Sequence, residues 1–267
     1  MTVLTLRLEL RRSRLLAFWL IVIALAYSAI MGAMYPIILD NAVAIEQYMN
    51  IFPKELMAAF GMSGSLADPG IFFNTYIGSF LWPVLAAIAA ILLATRPVTS
   101  DVERGWSEVT LGTPLTRVQS LGASIITQAL VLVALAVATV GGVLVASMVV
   151  NAGFDAGRFL AASAILWLFA WAIAGVTSLV GALTLNRGIA AGIAAGILIA
   201  MYLLNVVAQL QVDLAWLADF GLFKYVATTE LIDDGSVPWM SVGVFGITAL
   251  IGWAASLVVF ARRDLLA

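Results

Sequence analysis

LLAFWLIVIALAYSAIMGAMYPIIL, residues 15–39, contains no charged side chain. A helix needs about 20 apolar residues to cross the hydrocarbon core of a membrane, so this stretch predicts a membrane-spanning helix. Four arginines precede it, as in a signal peptide, but the apolar part of a signal peptide is only about 7–15 residues long. We therefore expect a first span that is retained.

Five more apolar runs are long enough to cross a membrane. They cover roughly 71–95, 117–150, 158–184, 189–210 and 239–261. The chain is 63% hydrophobic and 10% charged, whereas soluble domains are about a quarter charged. The sequence therefore predicts an all-α integral membrane protein, with one transmembrane domain of six helices over residues 1–267. The third run is longer than a straight span needs, so part of it should tilt or project.

The basic residues predict how the chain is oriented. Loops on the cytoplasmic side of a membrane carry the excess of Lys and Arg. With a cytoplasmic N-terminus, only Lys54, Arg158 and Lys224 lie outside. The basic residues then inside are Arg7, Arg11, Arg12, Arg14, Arg96, Arg104, Arg117, Arg187, Arg262 and Arg263. Six spans therefore predict that both termini lie in the cytoplasm.

Several classes of function are excluded or disfavoured by composition. The chain has no Cys and no His, which removes disulfides, Cys/His zinc sites and His-dependent nucleophiles. An intramembrane enzyme therefore lacks plausible chemistry. The net charge of −2 disfavours nucleic acid, which requires a basic face. No acidic or basic residue falls deep in a predicted span, which disfavours a transporter coupled to protons or ions.

Local patterns predict additional short elements. Leu4 and Leu8 alternate with Arg7 and Arg11 at helical spacing, which suggests an interfacial helix before span one or simply a basic anchor. Apolar residues recur at helical spacing between 45 and 60, and Pro53 should divide that stretch into two short outer helices, the second ending at Gly61. The polar but aromatic-rich segment 211–239 suggests short helices that dip into the outer interface before span six.

Two of the predicted spans carry their own signals. Pro83 in span two removes a helical hydrogen bond and should leave the Ser79 carbonyl free, so we expect a kink there. Gly188, Gly192 and Gly196 open span five with small-xxx-small spacing, which favours close helix packing.

DVERGWSEVTLGTPLTR, residues 101–117, is the densest internal cluster of charge. Ser100 and Glu103 form a capping box that should start a helix, and Gly112 is placed to end it. Thr113 and Pro114 then form an N-cap followed by proline, which should start span three. The predicted helix is about 11 residues, or roughly 16 Å, long. Its apolar stripe is Val102, Trp106 and Val109. A solvated loop is the plainer alternative.

The spacing E-x-G-x-x-E-x-x-L-x-x-P-x-x-R in this stretch resembles the coupling-helix signature of ABC-2 type transporter permeases. Its residues here are Glu103, Gly105, Glu108, Leu111, Pro114 and Arg117. The six spans, the basic N-terminus, the outer stretch FPKELMAAFG and the Arg-Arg-Asp end are similar to the family as well. Trp106 stands where Thr is common, and Gly112 makes the second half less rich in leucine, but neither change alters the spacing.

The resemblance implies a transmembrane permease subunit of an ATP-driven exporter in a prokaryotic plasma membrane. The chain has no G-x-x-x-x-G-K-[S/T] motif, so it should bind no nucleotide. ATP and Mg would belong to a separate ABC ATPase subunit, present in two copies, and a second permease subunit, identical or related, would complete the unit. The residues implied to contact the ATPase are Glu103, Arg104, Gly105, Trp106, Glu108, Leu111, Pro114 and Arg117.

Candidate cargo contacts are fewer and weaker. Spans two and five commonly line the central interface in the resembled family, which directs attention to Asn74 and Tyr76, and to Tyr202, Asn205 and Gln209. Uncharged polar groups in a membrane equally often bond neighbouring helices. Such a lining suits a hydrophobic or amphipathic cargo, such as a drug, a lipid-like molecule or a peptide. A scaffold that binds an ATPase without transport, or a permease for cofactor maturation, are the alternatives.

Overall fold

The computed structural model describes residues 2–52, 57, 64–95, 117–153, 155–226, 228, 231–232 and 235–262. Within these ranges, six helices are long and apolar enough to cross a membrane. They are Thr5–Asp40, Pro69–Thr95, Val118–Val149, Ala156–Thr184, Arg187–Leu210 and Trp239–Arg262, which we call spans one to six. The all-α membrane fold class is confirmed.

Span one belongs to a single continuous helix, Thr2–Asp40. The predicted interfacial helix is therefore not a separate element, because no proline or glycine interrupts the chain before Gly32. A short helix, Ala42–Met49, follows. The predicted second outer helix and Pro53 lie outside the described residues, apart from Met57.

Span two is built from three consecutive pieces. An α-helix covers Pro69–Phe73, a π-helix covers Asn74–Leu81, and an α-helix covers Trp82–Thr95. The Trp82 N–H donates to the Ile77 carbonyl, five residues back. Pro83, which lacks an N–H, thus enters at the first turn of the last piece, where a proline is tolerated. The structure thus has a π-helix directly before Pro83, and the predicted kink stays a prediction.

The remaining elements follow in chain order. Span three is a 33-residue helix, Arg117–Val149. Leu185, in a left-handed conformation, ends span four, and the side chain of Asn186 caps span five by accepting from the Ile189 N–H at 2.9 Å. Two 3-10 helices, Val212–Phe220 and Leu222–Tyr225, lie between spans five and six.

The two ends of the bundle are held by separate apolar clusters. Leu121, Ala182 and Phe260 pack together where spans three, four and six approach the chain termini. Tyr35 and Phe72 belong to a larger cluster at the other end, beside the loops. We call these the terminus side and the loop side.

Span four is the centre of the bundle, and it contacts spans two, three, five and six. Its closest approach is to span six, where a Cβ atom on Gly252 would lie 2.5 Å from the Gly175 carbonyl carbon. Close packing by small residues therefore occurs here. Gly192 and Gly196, in contrast, have no atom of the described chain within 4 Å of where a Cβ would lie. Within the described ranges, the predicted small-residue stripe of span five therefore has no close packing partner at Gly192 and Gly196, whereas Gly188 lies beside the Asn186 side chain.

Candidate functional site

The charged stretch lies largely outside the described residues. This applies to Glu103, Arg104, Gly105, Trp106, Glu108, Leu111 and Pro114, so their coupling role stays a prediction. Arg117 is described as the first residue of the span three helix. What the structure does describe is the pair of helix ends that flank the stretch, namely Thr95 of span two and Arg117 of span three.

Gln128 joins these two spans near the charged stretch. It is 1% exposed, and its Nε2 donates to the Leu93 carbonyl at 3.3 Å and to the Ser124 hydroxyl at 3.1 Å. Leu93 lies in the last turn of span two, where helix carbonyls need partners from elsewhere. The residue four positions after Leu93 is Pro97, which has no N–H to donate. The Gln128 amide supplies a donor that the proline cannot.

Gln128 was not among the functional residues predicted from the sequence. A usable signal existed, because an amide inside an apolar run must find a partner in the membrane. Pro97 also predicts that the Leu93 carbonyl needs another donor, because proline has no N–H. What the sequence could not provide is that these two groups lie on adjacent helices at the same depth.

The span two candidates lie in the loop-side cluster. Asn74 is 1% exposed, and its Oδ1 lies 2.5 Å from where a Cβ on Gly78 would be, so Gly78 makes room for the amide. The ring of Tyr76 packs at 5.0 Å, centroid to centroid, from that of Phe72. Both candidates sit at the π-helix, a form often found at functional sites.

The span five candidates have different neighbours. Tyr202 is 37% exposed, and its ring contacts Phe223 edge-on at 5.4 Å. Asn205 is buried, and Gln209 is half-buried. Among the described residues, Tyr76 and Tyr202 therefore pack in different clusters. The role of the five candidates as cargo contacts stays a prediction.

The segment 212–225 folds back along span five. A Cβ on Gly221 would lie 3.3 Å from the Met201 carbonyl oxygen, and the Phe223 ring lies 5.3 Å from that of Phe169 in span four. Leu222 is buried beside these residues. The predicted short helices before span six are therefore present, and they reach down between spans four, five and six. Lys224 and Asp219 form an ion pair on this segment.

A polar cavity of about 310 Å³ joins the loop-side ends of the spans. Asp155 caps span four by accepting from the Gly157 and Arg158 N–H groups at 2.9 and 3.1 Å. The Arg158 guanidinium pairs with Asp155 at 3.2 Å and donates to the Ile232 carbonyl at 2.9 Å. Asp68, which caps the start of span two, lines the same cavity. Arg158 thus ties the approach to span six to the start of span four.

A second cavity, an apolar groove of about 410 Å³, runs between spans three and four. Its lining includes Val137, Gly141, Leu160, Ala164 and Trp167. Ser163 also lines it, but its hydroxyl already donates to the Phe159 carbonyl at 3.0 Å. This groove has the chemistry expected of a surface that faces lipid. Neither cavity, nor any other part of the described ranges, gathers three potential metal-binding side chains.

Comparison with known proteins identifies the family. A search among curated proteins finds no match. The profile of the family described as ABC-2 family transporter protein matches residues 6–265, nearly the whole chain. Proteins of this family are membrane subunits rather than catalytic ones, and the family implies a partner ABC ATPase subunit. The six apolar spans agree with that match, and the chain belongs to the ABC-2 family of transporter proteins as a multi-pass permease subunit.

Proposed function

We propose that this permease exports a hydrophobic or amphipathic cargo by alternating access, driven by a separate ATPase that docks on the helix predicted at residues 101–112. The contact between Gln128 and the Leu93 carbonyl carries this proposal. It ties the last turn of span two to a point about 16 Å along span three from Arg117. A push on that stretch would therefore move the two spans together rather than spread them apart.

The route from the docking helix to the membrane follows the helix contacts. Span two packs along span four, and span four packs along span six. Motion of span two would reach the π-helix Asn74–Leu81, where the regular hydrogen-bond ladder changes. Such a segment is a suitable place for the helix to bend. Trp106 would fill an apolar groove of the ATPase, with Glu103, Arg104 and Glu108 setting its orientation.

A second permease subunit is part of the proposal. Only 17% of the most apolar window of span five is buried within the chain, the lowest share of the six spans. Its open glycines, Gly192 and Gly196, leave a surface that another helix could approach closely. Two permeases facing each other through span five would bring both copies of Tyr202 toward one pathway. Two ATPase subunits would bind on the cytoplasmic side. The arginine distribution supports cytoplasmic termini, and the resemblance to ABC-2 type permeases favours a prokaryotic plasma membrane.

Co-purification with the ATPase tests the coupling assignment. Replacing Trp106 and Glu108 with Ala together should release the ATPase, or abolish the response of its ATP turnover to cargo, while the permease still inserts. Trp239→Ala, an exposed tryptophan at the loop-side start of span six, is the matched control and should change neither. If the double variant keeps both ATPase binding and transport, the coupling assignment is wrong. A scaffold that transports nothing would bind the ATPase without any response to cargo.

A further inference from the structure

Two charged side chains belong to a segment that reaches well below the loop-side ends of the spans. Gly221 lies against Met201, about 14 Å along span five from its end at Leu210. Phe223 contacts Phe169, about 20 Å along span four from its start at Ala156. Asp219 and Lys224 flank this tip of the segment and pair with each other. Span five, Arg187–Leu210, is about 36 Å long and a hydrocarbon core is about 30 Å thick, so with span five centred in the membrane the contact at Met201 lies roughly 10 Å inside the core.

The pair is not enclosed by the protomer. The side chains of Lys224 and Asp219 are 45% and 54% exposed. Charged groups at membrane depth are costly against lipid, and they face a water-filled cavity or the interior of a bundle. The apolar groove between spans three and four, in contrast, has no charged side chain in its lining. The surface formed by span five and the segment 212–225, called here the span-five surface, has a different chemistry.

Exposed aromatic side chains belong to the same surface as the charges. Trp216 and Phe220 are 56% and 68% exposed, and their rings meet edge-on at 5.9 Å. Tyr202 is exposed on the adjoining helix. The exposed rings suit the apolar part of an amphipathic molecule, and the ion pair suits its charged part.

We propose that the span-five surface lines a water-filled cavity, and that Asp219 and Lys224 bind the head group of an amphipathic cargo carrying one positive and one negative charge. A zwitterionic head group offers a counter-charge to each member of the pair. A head group with a single charge would leave one member uncompensated at low dielectric, which is unfavourable. This inference rests on the proposed transport function and names its class of cargo.

Water access is tested by cysteine labelling of the reconstituted permease–ATPase complex, since the chain has no native cysteine. Phe220→Cys keeps both charges, and Ala164→Cys, exposed in the apolar groove at a similar depth, is the control. A membrane-impermeant cationic methanethiosulfonate should label the cysteine at position 220 at least tenfold faster than that at position 164. Equal, slow labelling would mean that water does not reach the span-five surface, and would overturn the inference.

Head-group selectivity is tested by ATP turnover of the same complex with three probes of equal chain length. These are a zwitterionic lysophosphatidylcholine, an anionic lysophosphatidylglycerol and a neutral monoacylglycerol. The wild type should respond to the zwitterion at least fivefold more than to the others. D219N should shift the preference to the anion, because Lys224 then stands alone, and the exchange D219K/K224D should restore the preference for the zwitterion.

The outcomes separate this inference from the proposed function. If the replacement of Trp106 and Glu108 abolishes coupling but D219N leaves the probe preference unchanged, the Asp219–Lys224 site is wrong and the transport function stands. If the replacement of Trp106 and Glu108 leaves ATPase coupling intact, the proposed mechanism itself fails.

Discussion

Replacement of Gln128 with Leu tests whether spans two and three move as one unit. Leucine has a similar volume and suits the apolar surroundings, so the helix itself should be retained. The change removes the donor to the Leu93 carbonyl, which is followed four positions later by Pro97 rather than by an N–H. A hydrogen bond between membrane helices contributes about 0.6 kcal/mol on average and at most about 1.7.

The expected loss of free energy in Q128L determines whether stability or transport should be measured. A loss of about 1 kcal/mol is small beside the roughly 5–15 kcal/mol that stabilises a folded domain, so Q128L should insert and fold. The same loss at a joint that transmits force amounts to about a fivefold change in an equilibrium. We therefore expect cargo moved per ATP hydrolysed to fall about three- to tenfold in proteoliposomes, with ATPase binding unchanged.

Thr127→Val is the matched control for this prediction. Its hydroxyl is equally buried, but it donates to the Ala123 carbonyl of its own helix at 2.9 Å. It should leave the ratio of transport to ATP hydrolysis unchanged. If Q128L and T127V give the same ratio, the link between spans two and three does not carry the coupling, and the reasoning is refuted.

Two further predictions concern stability. G252A should lower the free energy of unfolding by about 1–3 kcal/mol, because its Cβ would meet the Gly175 backbone at 2.5 Å. G246A, which has open space around it, should change the free energy of unfolding little in the same denaturant titration. Equal losses in the two variants would contradict the close packing of Gly252 on Gly175. R158Q should raise amide hydrogen exchange at Ile232 and residues 235–237, with a global loss below about 1 kcal/mol since the ion pair is partly exposed. Unchanged exchange would show that Arg158 does not anchor this segment.

The six spans could be predicted from the sequence because the membrane imposes a local rule. Each predicted run lies within a few residues of an observed helix, except that span one extends back to Thr2. The caps of span two and span four by Asp68 and Asp155 also depend only on neighbouring residues. The charged stretch 101–117 was recognisable by its capping residues and spacing, and its role stays a prediction.

The helix pairings could not be predicted in the same way. Small-residue spacing marked Gly188, Gly192 and Gly196, whereas the close approach joins Gly175 and Gly252. Spacing shows that a helix has a smooth face, but it does not identify the helix that packs there. The π-helix before Pro83 likewise reflects packing of Asn74 and Gly78 as well as the proline.

The sequence by itself determined that this chain is an all-α membrane protein with six spans, because the apolar length that a span needs acts segment by segment. Only the tertiary structure decided that Gln128 meets the end of span two, and that the segment 212–225 descends along span five with its ion pair. Gln128 and Leu93, for example, are 35 positions apart in the sequence. Such contacts arise from how helices pair and how deep each one sits, which no local pattern specifies.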